Sequence, residues 1–133
     1  MRISQAVYRY VENELYNYPH TLEAIEELRE DIISGISGEK LAVQSGRTSN
    51  PTAAKATRLT LDVRLTHLER VRKSIEKVYS ALPPEKKKVV ELKYWDRRLS
   101  DFGIYQSIPI ARRTYFRWRN EIITAIATDL GLV

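Results

Sequence analysis

The sequence predicts an all-α protein. Its apolar residues recur three, four and seven positions apart in every long stretch, the spacing of one helix face. The interruptions fall at proline and glycine: Pro19, the Gly/Ser-rich stretch 34–52, Pro83 and Pro84, Pro109, and Gly131. These breaks divide the chain into an acidic helical hairpin (1–35), a linker or long loop (36–52), a long amphipathic helix (53–82) and a C-terminal helix-turn-helix domain (83–133).

The first helix takes its apolar face from Val7, Tyr8, Val11, Leu15 and Tyr18. Pro19 is expected to end it, because the residue before proline is pushed out of helical geometry. Thr21 is then the expected N-cap of a second helix with the stripe Leu22, Ile25, Leu28, Ile32 and Ile36. Glu23, Glu26 and Glu27 in its first turns suit the helix dipole. Beyond the break, Asn50-Pro51-Thr52 marks a start. Leu61, Leu65, Leu68, Ile75, Val78 or Tyr79, and Leu82 then form a seam of about three heptads, with Val71 beside it. This seam (61–82) must be covered by the N-terminal helices or by a second copy of the chain.

Pro83 and Pro84 open the next helix, as proline does in a first turn; it runs to Trp95. Ser100 can cap a short helix to about Ser107. Pro109 breaks the chain, and a last helix runs from Ala111 to about Leu130. Two helices joined by a turn of three or four residues, behind a supporting helix, is the layout of a helix-turn-helix.

Composition narrows the chemistry. The 133 residues carry a net charge of +5. Residues 1–35 hold three Lys/Arg against seven Asp/Glu, a net of −4; the rest hold nineteen against ten, a net of +9. A basic half beside an acidic half points to a polyanionic partner for one end. There is no cysteine, and His20 and His67 lack ligand-spaced partners, so neither a metal site nor a cofactor is expected. No HExxH, GxSxG or phosphate-binding glycine signature is present, and the acids are scattered, so an enzyme is not expected. No apolar run approaches the roughly 18 residues of a membrane span. The N-terminus lacks the apolar core of a signal peptide. The expected location is the cytoplasm.

The run Ala111–Asn120 concentrates four arginines, three aromatics and an asparagine. Tyr115, Trp118, Ile122, Ala125, Ile126 and Leu130 are expected on the packed face. Arg112, Arg113, Phe116, Arg117 and Asn120 are expected on the outer face, where arginine can pair with guanine, asparagine with adenine, and Phe116 can touch a thymine methyl. Arg119, on the flank, suits a phosphate. Arg97 and Arg98 precede the short helix and can clamp a backbone phosphate, and Lys86, Lys87 and Lys88 are further phosphate candidates. The expected partner is double-stranded DNA.

The stretches LPPEKKKVVELKYW and LSDFGIYQSIPIARRTYFRWRNEI resemble the region-4 helix-turn-helix of bacterial sigma factors. More narrowly, the chain resembles the RinA family of phage transcriptional activators, relatives of the ArpU family. The N-terminal ELYNYP, the stretch AIEELREDI, the Gly/Ser-rich break and the long helix ending in VYSALPPE add to the likeness, which covers nearly the whole chain through the order of its motifs. The resemblance implies a sequence-specific activator of late and packaging genes of a bacteriophage, working near the promoter in the host bacterial cytoplasm, with host RNA polymerase as a further partner. Two alternatives stand beside it: a small terminase subunit, for which the heptad helix would build an oligomer, and a sigma-like RNA polymerase subunit. The chain departs from the family pattern at Tyr105, bulky where a small residue is usual, and at Ala111, which offers no capping oxygen where Ser or Thr is usual.

Overall fold

A computed structural model describes residues 3–44 and 51–133, without the side chains of 36–44 and 51–52. The fold is all-α: α1 (Gln5–Gln44), α2 (Pro51–Ala81), α3 (Pro84–Val90), which continues as a π-helical turn (Glu91–Asp96), α4 (Asp101–Ser107) and α5 (Arg112–Asp129). The chain divides into two compact units. A body takes Met1–Pro19 and Val71–Val133, and an arm takes His20–Arg70. Each long helix contributes to both.

The body holds the main core. Val11 and Leu15 of α1, Val71 and Ile75 of α2, Val90 and Tyr94 of the α3 region, and Ile122, Ile123, Ile126 and Ala127 of α5 form one buried cluster. A second, smaller cluster of Val89, Ile104 and Tyr115 joins α3, α4 and α5, with Leu92, Tyr105, Ile108, Ile110 and Trp118 packed around it. Leu82, Pro83 and Pro84 turn the chain from α2 into α3, and Pro83 occupies the cap position in extended geometry.

The expected break at Pro19 does not occur. Proline lies inside α1, and Thr21 is a buried helical residue, not an N-cap. An ordinary residue at 19 would donate its N–H to the Leu15 carbonyl, four positions back. Proline has none to donate. The indole Nε1 of Trp95 donates to that carbonyl instead, at 3.1 Å. A tertiary bond thus satisfies the acceptor that proline leaves open. Trp95 is held there by stacking on Tyr18, with ring centroids 5.1 Å apart, and by Tyr79 at 5.0 Å.

Part of the expected linker is helical. Helical backbone continues through Gln44 and resumes at Pro51. Positions 45–50 of the expected loop lie outside the described residues.

The arm consists of the α1 and α2 segments between His20 and Arg70. Thr21, Ile25 and Leu28 are its buried residues. An ion pair from Arg29 to Glu69 ties the two helices. Leu61, Leu65 and Leu68 are half-buried, as a packing seam should be. Leu22, expected in the stripe of a separate second helix, is 38% exposed.

Candidate nucleic-acid interface

α4 and α5 form two helices joined by the turn Ile108–Ala111. Ser100 caps α4, its hydroxyl accepting from the Gly103 N–H at 3.2 Å. Such a bond satisfies one of the open amides of a first turn. The turn closes with the Ile110 N–H donating to the Tyr105 carbonyl at 3.1 Å. Ala111 occupies the cap position of α5 with extended geometry and no side-chain bond to the first-turn amides.

The packed face of α5 is Tyr115, Arg119, Ile122, Ile123, Ile126 and Ala127. It is turned from the expected one. Ile123 and Ala127 are inside, Ala125 is exposed, and Trp118 and Leu130 are only half-buried. The cause is Arg119, which sits in the middle of the buried face. As an arginine it reads as a surface residue, yet it is 9% exposed. Arg119 is therefore not the phosphate contact expected of it.

Arg119 can be buried because two half-buried carboxylates, Glu12 and Asp101, meet its guanidinium. One guanidinium nitrogen donates to Glu12 Oε2 at 2.7 Å, and another lies 3.4 Å from Asp101 Oδ2. Tyr94 donates to the same Glu12 oxygen at 2.7 Å, and Tyr115 donates to Asp101 Oδ1 at 2.6 Å. Lys93 adds a contact to Asp101 at 3.0 Å. Burial alone would favour a neutral Arg119, but Tyr94 and Glu12 outweigh it and hold the charge more firmly than usual. Burial works against an ionised Asp101, yet the bonds from Tyr115 and Lys93 hold its carboxyl below the usual carboxylate range. Burial, then the bond to Glu12, pushes the Tyr94 hydroxyl far up; burial and Asp101 do the same for Tyr115. The network joins α1, the π-helical turn, α4 and α5, and fixes the rotation of α5 in the body.

That rotation decides what faces outward. Arg112, Arg113, Arg117 and Asn120 are exposed. Arg113, Phe116, Arg117, Asn120, Glu121, Thr124 and Ala125 line an open groove of about 780 Å³ along the helix. Phe116 is half-buried, its ring 5.1 Å from Tyr115, with the Arg112 and Arg119 guanidiniums 5.5 and 5.4 Å from its centroid. It both packs and lines the groove.

The other expected contacts divide. Lys86 reaches α5, bonding Glu121 at 2.9 Å and lying 5.8 Å from the Trp118 ring centroid. Lys87 lies over Tyr79 at 5.4 Å, and Lys88 is exposed. Arg97 takes the left-handed conformation, φ 62°, closing the π-helical turn with its N–H on the Leu92 carbonyl. Its guanidinium covers Tyr16 at 4.6 Å. Arg98 is chelated by Asp96 at 2.6 and 3.2 Å. Tyr105, the bulky departure in α4, is accommodated half-buried between Phe102 and Tyr115, at 5.4 and 5.8 Å.

Glu12, Tyr94 and Asp101 are partners of Arg119 that the sequence does not announce. No local signal marks them, since Glu12 is 107 residues away. Glu121, by contrast, stands in an i, i+4 relation to Arg117 that the sequence does display. Among the described residues no group of His, Asp and Glu is placed to hold a metal, and no helix is long and apolar enough to cross a membrane.

No curated protein and no solved structure matches the chain. A family model described as "Protein of unknown function (DUF722)" matches residues 12–128, so the chain belongs to that family.

Proposed function

We propose that the protein is a sequence-specific DNA-binding transcriptional activator of bacteriophage late or packaging genes, acting through the α4–α5 helix-turn-helix. The observation that carries the DNA-binding part is the outward face of α5. Arg112, Arg113, Arg117 and Asn120 are all exposed there, in the N-terminal half of the second helix of the pair. In a helix-turn-helix that half enters the major groove. Arginine and asparagine are the side chains that pair bidentately with guanine and adenine. The activator role and the late-gene target rest on the resemblance to the RinA family, with host RNA polymerase as the second partner.

In this reading Arg113 and Asn120 contact bases. Lys88, Arg97 and Arg98 supply phosphate contacts. The first-turn amides of α5, which Ala111 does not cap, can meet a phosphate, as helix N-termini do.

The test is selection from a pool of random duplexes, followed by affinity measurement on the enriched sequence. Wild type should enrich a defined site. Arg113→Ala should lose about 1–3 kcal/mol on that site and relax base preference at one position. Lys88→Ala should weaken binding to all duplexes alike and lower the salt slope by about 1. No enrichment by wild type sinks the proposal. A reporter driven by the enriched site, with and without the protein, tests activation separately.

A further inference from the structure

Between Arg112 and Thr128, α5 carries one acid. Glu121 stands one turn beyond Arg117 and lines the same groove as Arg113, Arg117 and Asn120. Both of its carboxylate oxygens face cations. Oε2 accepts from Lys86 Nζ of α3 at 2.9 Å, and Oε1 lies 3.8 Å from Arg117 Nε. Trp118 lies beneath Lys86, so that ammonium rests between a carboxylate and an aromatic ring. Glu121 is thus a bridge between two helices, and its two partners are cations a phosphate backbone would otherwise attract.

Stability gives little reason for this arrangement. Glu121 is about half exposed and Arg117 more so, and even with Lys86 about a quarter exposed, ion pairs open to solvent contribute only modestly to folding. Its effect on association is larger. Non-specific binding to duplex DNA is almost wholly electrostatic, growing with each phosphate neutralised. An acid in the interface repels phosphate and engages two cations at once. Specificity is a difference between affinities, and a repulsive element raises it by penalising the wrong partner.

We propose that Glu121 is a specificity-determining residue: it holds Lys86 and Arg117 from the phosphates of arbitrary duplex and releases them only where base contacts by its neighbours compensate. The inference rests on α5 being the reading helix.

The experiment uses the full chain as wild type, Glu121→Gln, Lys86→Ala and the double variant. Binding to a random duplex pool is followed by fluorescence anisotropy across a salt series, and enrichment of a selected sequence over the pool is measured in parallel. Glu121→Gln should bind the pool about three- to tenfold more tightly at low salt, with a salt slope steeper by up to about 2, because each freed cation adds roughly 0.9. Enrichment should fall. Adding Lys86→Ala should remove about half of the gain in slope, since it removes one of two freed cations. The side chain at 121 is about half exposed, and circular dichroism checks that Glu121→Gln keeps the fold. An unchanged or weaker pool affinity in Glu121→Gln, with an unchanged slope, overturns the proposal. Failure of the DNA reading itself shows in wild type alone, as no binding to any duplex at low salt, and takes this proposal with it.

Discussion

The body and the arm use the same two long helices yet bury them differently. In the body, Val11, Leu15, Val71 and Ile75 are at most 1% exposed. In the arm, among the described residues, only Thr21, Ile25 and Leu28 are buried, while Ile33, Leu59 and Val63 are each more than 60% exposed. Propensity does not explain the contrast, since the helices are continuous. The number of neighbours does. In the body both long helices share one buried cluster with α3, the π-helical turn and α5. In the arm, among the described residues, the two helices bury only a narrow stripe against each other. Three arm threonines, Thr57, Thr60 and Thr66, bond back to carbonyls four residues earlier, which occupies their hydroxyls within their own helix. Cooperative stability should therefore reside in the body.

The largest expected effect tests that contrast directly. Ile123→Ala in the body should cost about 2–5 kcal/mol, through lost burial and an unfilled cavity. Leu65→Ala in the arm should cost roughly 1 kcal/mol, because a half-buried side chain loses less on truncation. Urea unfolding followed by the fluorescence of Trp95 and Trp118, both in the body, measures the two. Equal costs would mean the arm is as tightly coupled as the core.

A smaller effect separates polar from apolar support within the body. Glu12→Ala leaves Arg119 with Asp101 as its remaining carboxylate and takes the acceptor from Tyr94. A buried charge losing its partner is expected to cost about 3–5 kcal/mol, toward the lower end because Asp101 stays. Replacing both, as Glu12→Leu with Arg119→Met, should recover most of the loss. A double-mutant cycle in urea measures the coupling; strict additivity would show that Glu12 and Arg119 act independently.

Much of this architecture was legible because it is local. The cap at Ser100, the proline start of α3, the turn at Pro109 and the exposed arginines of α5 follow from neighbouring residues. Arg119 was not legible. Its spacing from Tyr115 and Ile122 puts it on the packed face, but its burial depends on Glu12, Tyr94 and Asp101 arriving from three other elements. The outer face was still read correctly at Arg113, Arg117 and Asn120, because a rotated packed face leaves its far side exposed. The long helices were underestimated for the same reason in reverse. Proline and a Gly/Ser-rich stretch are local stop signals, and tertiary contacts can override the first of them.

Pro19 and Trp95 give the finest test of that override. Trp95→Phe keeps a ring between Tyr18 and Tyr79 but removes the donor to the Leu15 carbonyl. A partly buried acceptor left without a partner is expected to cost about 1–2 kcal/mol. Pro19→Ala restores an N–H four residues beyond Leu15, and a carbonyl has lone pairs for two donors. In the Pro19→Ala background Trp95→Phe should therefore cost less by about 1 kcal/mol, since the helix now satisfies its own acceptor. If the tryptophan is worth the same with alanine at position 19 as with proline, its contribution is ring packing alone. Some other contact would then have to carry α1 through its proline.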